Sequence, residues 1–415
     1  MSASKSALHF YQFLGAHSFL IGLLPFFLPV YLWTHGLGLA GLSLLIGSSG
    51  LAFAASLRLW QRLSMHWPLR RLIALTFLFE VCLVFVVGLF TTIPGMALFQ
   101  TPPEPYTSAT GKLVIAACCI GLFNGLYNAF FWTTQRTLFL QQLGQNDTGK
   151  QYGNFQIFVT LFLKTGIILG GFLLENGSLV WILALSAGIS AASNLWLARP
   201  EHTRSQLHSV TTIVNTRQSL AFSDSRGSRK TFAIDGLFLY LESHFWTLSL
   251  FLVVREDFSK LGIAVVLLAL GFALMFFVIK NRIDHLSTER LFHGAVLLYA
   301  LSWLLRFTLN EDSAGGSLIV TLLVITFFSS FFRLAFNKRF FDVARSEGSI
   351  HYLLVKSYTS QLLLGILYTA LGTVLFIIPT HTVLTLQVVY LVAAVLSLVY
   401  LGYRDSKPEP TCHGK

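Results

Sequence analysis

Gln156, Thr160 and Lys164 stand at i, i+4 and i+8 in YGNFQIFVTLFLKTGIILGG, the stretch from Tyr152 to Gly171. That spacing sets all three on one side of a helix. Lys164 lies roughly 16 Å beyond Gly153 at about 1.5 Å per residue, near the middle of a hydrocarbon core about 30 Å thick. An ammonium there costs at least about 2.5 kcal/mol on insertion scales. It is expected to face a wet cavity or a counter-ion and to hold an anionic group.

Other polar residues sit in equally apolar surroundings. Asn124, Asn128 and Gln135 share one helix face, with Tyr127 and Trp132 close in sequence. Amides at such positions either orient a solute or bond a neighbouring helix. Glu80, Glu242 and Asp235 are carboxylates within or at the edge of apolar runs. Burial penalises the charged form of a carboxylate, so Glu242 and Glu80 are candidate proton carriers. His17 titrates or hydrogen-bonds. Lys164, Asn124, Asn128, Gln156, Tyr127, Trp132, Trp246 and His17 form the candidate solute-binding set. Lys356 and Arg306 lie near span ends, where long cationic side chains reach the headgroups; Arg333, close to the end of span ten, either contacts an anionic group or reaches the headgroups in the same way.

Several soluble chemistries are excluded. Gly36, Gly38 and Gly41 match GxGxxG, but dinucleotide binding needs a preceding strand and a βαβ unit. Here the match falls in a turn between apolar runs. No P-loop, HExxH or GxSxG occurs. The chain is expected not to be an enzyme, and to hold no cofactor and no metal. Its four cysteines, Cys82, Cys118, Cys119 and Cys412, show no CxxC spacing, so neither a disulfide framework nor a zinc site is indicated.

The elements that must position these side chains are membrane spans. Of the 415 residues, 54% are hydrophobic and 11% charged, against about 25% charged in soluble domains. Twelve apolar spans are expected at 9–33, 37–57, 71–93, 111–137, 151–174, 178–197, 231–254, 260–280, 290–309, 317–337, 351–378 and 382–403. Inside lipid the backbone must satisfy its own hydrogen bonds, so all should be helices. The first run continues into Pro25 without a small-residue cleavage site, so no cleaved signal is expected. Most of the 29 Lys and Arg collect on one face; the other receives only Lys112, Arg255 and Lys260. The positive-inside rule then places both termini in the cytoplasm. Topology accounts for the net charge of +11, which leaves no call for a nucleic-acid partner. The polar segment Arg199–Lys230 reads as a cytoplasmic linker between two six-span units, 1–198 and 231–415. The outer loop Pro94–Thr110, with Pro102, Pro103 and Pro105, reads as irregular.

Weak internal similarity supports a parallel duplication. Tyr152, Gln156 and Thr160 correspond to Tyr352, Lys356 and Ser360, and Ala129, Phe130 and Phe131 to Ser330, Phe331 and Phe332. Twelve spans, a six-plus-six division and inside termini together resemble the major facilitator superfamily. Many of its proton-driven exporters carry G-x8-G-x3-G-P-x2-G-G in span five. Gly153, Gly166, Gly170 and Gly171 occupy four of those positions, with Phe162 and Ile167 in place of a glycine and the proline. The basic loop between spans two and three matches at Arg70 and Arg71, and the second-half loop at Asp284 and Arg290. The resemblance implies an all-α membrane fold of two six-helix bundles and transport by alternating access. Proton-coupled efflux (antiport) of a small organic molecule by a monomer in the cell inner membrane is the leading expectation. Uptake of an organic anion, peptide or sugar is one alternative; a non-transporting receptor or assembly factor is the other.

Overall fold

The computed structural model describes residues 2–92, 106–142, 148–197, 214–269, 288–309, 315–346, 350–378 and 381–404. Among them there is no strand, and ten helices are long and apolar enough to cross a membrane. Two more apolar helices, Leu179–Leu195 and Phe258–Ala269, are shorter. Every expected span therefore has an apolar helix at its place, ten of them at spanning length, and the chain is a multi-pass membrane protein. Of the expected irregular loop Pro94–Thr110, residues 106–110 are already the first turn of a helix, a correction to that reading; the rest of that loop, residues 199–213 of the linker, the end of span eight with Asp284, and Cys412 lie outside the described residues.

The first span is broken. α1 (Ser2–Leu23) gives way to a turn and then α2 (Leu28–Thr34), which has Pro in its first turn. Pro25 lacks the N–H that would continue the ladder, and the Phe26 N–H instead reaches back to Ile21 O at 2.9 Å. α3 (Gly38–His66), α4 (Leu69–Thr92), α5 (Tyr106–Gln142), α6 (Thr148–Asn176) and α7 (Leu179–Leu197) complete the first group. In the described part of the linker, α8 (Thr216–Ala221) has Asn215 and Gln218 as a capping box.

Span seven is interrupted as well. α9 (Ser228–Tyr240) passes through a π-turn, Leu241–Phe245, into α10 (Trp246–Val253). α11 (Phe258–Ala269), α12 (Thr288–Thr308), α13 (Gly315–Ser346), α14 (Ile350–Ile377) and α15 (Thr382–Ser397) follow.

Small residues set the seams. α1 and α6 approach so closely that a Cβ on Gly22 would stand 2.6 Å from the Ile167 nitrogen, and one on Gly170 2.9 Å from Gly22 O. The Gly166–Gly170 pair thus does what a small-xxx-small face does in lipid. A second seam joins α3 to α14. A Cβ on Gly50 would meet Gln361 O at 2.8 Å, and one on Gly372 would meet Ala40 O at 3.0 Å. These seams hold the helices around a cavity of about 550 Å³.

Candidate functional site

One wall of the cavity is an amide–indole ladder on α5. Asn124, Asn128 and Trp132 are each a turn apart, so their side chains stack along one face. Asn124 Nδ2 donates to Ser49 Oγ at 3.0 Å, Asn128 Nδ2 to Asn124 Oδ1 at 3.0 Å, and Trp132 Nε1 to Asn128 Oδ1 at 2.9 Å. Ser49 on α3 in turn meets the Tyr240 hydroxyl on α9 at 3.1 Å. A continuous hydrogen-bonded line therefore joins three helices across the middle of the molecule. Tyr127 and Gln135 add polar atoms on the same side.

The opposite wall carries charge. Arg333 on α13 donates through Nη1 to Asp235 Oδ1 at 2.7 Å and through Nε to Glu242 Oε2 at 3.0 Å. The Tyr299 hydroxyl donates to Glu242 Oε1 at 2.8 Å, and the Tyr400 hydroxyl to Asp235 Oδ1 at 2.9 Å. Lys356 Nζ lies 3.0 Å from Asp235 Oδ2, and 4.8 and 4.4 Å from the ring centres of Phe336 and Phe340. Two carboxylates thus face two cations, and the cluster is balanced. Its burial is uneven: the Asp235 side chain is 1% exposed and Lys356 4%, whereas Glu242 is 21% and Arg333 17% exposed. Asp235 and Lys356 anchor the cluster, and Arg333 and Glu242 present it to the cavity. The π-turn produces this. It places Glu242 and His244 at a local widening of the helix, a distortion frequent at functional sites.

Aromatic residues line one part of the cavity. At the end carrying most basic residues, Phe139 packs against Phe155 and Phe341 with ring centres 4.8 and 4.9 Å apart. Beside them Gln61 on α3 donates to the Tyr358 hydroxyl on α14 at 3.1 Å and accepts the Val214 N–H at 2.7 Å. Away from the cavity lining, Phe258 packs on Phe251 and Phe27, and the Phe258 N–H donates to the Glu175 carboxylate at 3.0 Å.

Of the expected binding residues, Asn124, Asn128, Tyr127 and Trp132 line this cavity, as does the expected proton carrier Glu242. Four others are placed elsewhere, which corrects the expectation of one shared cavity. Lys164 is not on the wall, although its neighbour Leu163 is. It is partly buried at the edge of the exposed stripe Leu161, Thr165, Ile168 and Phe172 on α6. His17 is enclosed by aromatic rings, stacked on Phe77 with ring centres 4.0 Å apart and tilted against Phe131 at 4.7 Å. Glu80 is fully buried on α4 facing the hydroxyls of Ser186 and Ser190. Trp246 lines a separate small cavity with Arg306. Gln156 is helical, and its side chain lies outside the described residues. The headgroup reading of Lys356 and Arg306 is also corrected, since each is 3% exposed; of the two readings of Arg333, the contact with anionic groups is the one seen, because two carboxylates hold it. The signal for the charged wall was in the sequence: Asp235 and Glu242 in span seven are matched in number by Arg333 and Lys356 in spans ten and eleven.

No protein-family model matches the sequence, and no curated protein does. Solved structures share its fold. The nucleoside transporter NupG superposes with a TM-score of 0.61 at 15% identity, over 97% of this chain and 100% of that one. A bacterial homologue of the iron transporter ferroportin, in an outward-facing state, gives 0.58 at 15%, over 97% and 99%. The human organic anion transporter MFSD10 gives 0.52 at 15%, over 96% and 97%. The fold is that of the major facilitator superfamily.

Proposed function

We propose that this chain is a secondary active transporter, with two six-helix halves (1–198 and 231–415) joined by the 199–230 linker. It moves a small organic anion together with a proton by alternating access. The observation that carries the reading is Arg333, shared between Asp235 and Glu242 at the cavity surface. A cavity of about 550 Å³ is in the usual range for small-molecule sites. When Glu242 takes a proton its charge disappears, and Arg333 keeps only Asp235 as a carboxylate partner. One positive charge is then in surplus at the wall, and an anionic group on the solute can take the vacated place. The amide–indole ladder opposite supplies hydrogen bonds and an aromatic face for the rest of the solute. Loss of the proton restores the Arg333–Glu242 pair and displaces the solute. Proton and anion therefore bind together and move together.

The partial glycine pattern of span five favours a second reading, in which protons moving inward drive solute outward. Purified protein in proteoliposomes with an imposed pH gradient separates the two. Nucleosides and organic anions, the solutes named for similar folds, form the first panel, with iron as a third class. Symport predicts that solute and protons cross in the same direction. Glu242→Gln should abolish gradient-driven accumulation yet retain solute exchange, whereas Arg333→Gln should lose both. Gradient-driven accumulation by Glu242→Gln equal to wild type would overturn the role given to Glu242; protons crossing against the solute would replace symport by exchange.

A further inference from the structure

Arg306 is the cation that the central site leaves over. It sits near the end of α12 and is 3% exposed. Nη1 donates to Ser302 Oγ at 3.1 Å and Nη2 to Ser329 Oγ at 2.9 Å, while buried Nε has no acceptor. Its Cζ lies 4.1 Å from the ring centre of Trp303 and 4.8 Å from that of Trp246. Each of these partners is neutral. Among the described residues no carboxylate lies within ion-pair distance of it. The carboxylate that acts on it from farther away, Glu242, is already bonded by Tyr299 and Arg333.

A guanidinium keeps its proton inside proteins. A buried Lys or Glu can escape an unfavourable charge by titrating; Arg306 cannot. The helices from α9 onward hold Asp235 and Glu242 against Arg333 and Lys356, so within this interior cluster Arg306 is one positive charge in excess. A buried charge without an opposite partner needs one from outside the chain.

A cavity adjoins it. About 40 Å³ in volume, it is lined by Arg306, Trp246, Ser249, Gln387 and Tyr390 among others, and shares no wall residue with the central cavity. A cavity needs about 10–15 Å³ of volume on this measure to admit a water-sized guest, so the space has room for a small one. The Tyr390 hydroxyl donates to Phe245 O at 3.0 Å and meets Ser249 Oγ at 2.5 Å, so those two satisfy each other. The donors left on the wall are the Arg306 guanidinium, the Gln387 amide and the Trp246 indole N–H. A donor set with no carboxylate, a fixed positive charge and room for one atom-sized guest belongs to an anion.

We infer that this crevice binds a single small inorganic anion, of which chloride is the one that suits it. The site stands between the ends of α10 and α12 and the start of α15, and it is independent of the transport reading. Trp246, on the crevice wall, makes it observable, because iodide quenches indole emission on contact. Protein purified in lipid-free neutral detergent with gluconate as the anion is titrated with iodide, then with chloride as competitor. Wild type should show a saturable quenching component that chloride reverses, and chloride should raise its melting temperature. Arg306→Gln should lose both, with chloride affinity at least about tenfold weaker, as expected when one partner of a buried charge contact is truncated. If that variant fails to fold, Gln387→Glu answers the same question. Its carboxylate would occupy the anion's place, so the protein should be stable without chloride and indifferent to it. Quenching linear in iodide and equal in all three proteins would overturn the inference. So would stabilisation by phosphatidylglycerol with none by chloride, which would make the occupant a lipid headgroup.

Discussion

Asp235 should be the most costly single charge to remove from the cavity wall. Its Oδ1 accepts from Arg333 at 2.7 Å and from the Tyr400 hydroxyl at 2.9 Å, and its Oδ2 faces Lys356 at 3.0 Å. Asp235→Asn keeps the shape and deletes the charge. Arg333 then still has Glu242, but Lys356, with its side chain 4% exposed, keeps only the faces of Phe336 and Phe340. Breaking one partner out of a buried pair costs about 3–5 kcal/mol. Lys356→Gln is the milder lesion. Asp235 keeps Arg333 and Tyr400, so the loss is closer to the about 1–3 kcal/mol of one unsatisfied buried group. Joining the two changes removes both charges and leaves two amides that can bond each other. The double variant should therefore be more stable than Asp235→Asn alone, with a coupling energy well outside the few tenths of a kcal/mol seen for independent sites. Unfolding of purified protein in mixed micelles with rising denaturing detergent, followed by tryptophan emission, gives the four values. The reasoning fails if Asp235→Asn costs no more than Lys356→Gln, or if the two costs simply add.

Two further outcomes follow from the packing. Gly50→Ala places a methyl 2.8 Å from Gln361 O and 2.9 Å from Gly365 N, both backbone atoms of α14. Neither can rotate away, so the seam must part, at a cost of about 1–3 kcal/mol for overpacking. Labelling of a cysteine placed at Thr369, which packs on Gly47, should rise in the Gly50→Ala background; unchanged labelling would mean that the seam absorbs the methyl. Asp257 caps α11, its Oδ1 accepting the Lys260 N–H at 2.7 Å, and Asp257→Ala should cost about 0.5–2 kcal/mol. The Lys260 backbone bond, then the Lys260 side chain, hold this carboxyl below its ordinary range. A lowered folded value stabilises above the unfolded one, about 3.9, and the benefit vanishes as pH falls through the folded value. The gap between wild type and Asp257→Ala in denaturant midpoint should be present at pH 7 and shrink below about pH 4.

The places of the apolar helices along the chain were legible in the sequence, and direction around each helix was not. Hydropathy located an apolar helix at all twelve expected places because the cost of an unsatisfied backbone in lipid leaves one solution. Polar residues in spans pointed to Asn124, Asn128 and Glu242 because lipid tolerates such groups only where they have partners. Lys164 shows the limit. Its depth was read from the start of its span, and its i, i+4, i+8 spacing with Gln156 and Thr160 defined a shared face. Periodicity alone does not say whether that face looks inward. A second signal in the same span did. Gly166 and Gly170 are the face that meets α1, and at 3.6 residues per turn a residue two places earlier points roughly 200° away. Lys164 is two places before Gly166, so the glycine pair that drew α1 in also turned the lysine away from it. The charged wall was hidden for a different reason. Lys356 lies near a span end, where a cation ordinarily reaches water, and only the matching depth of Asp235 on the neighbouring α9 turns it inward. A count of opposite charges at equal depth, made across spans rather than along one, would have paired them.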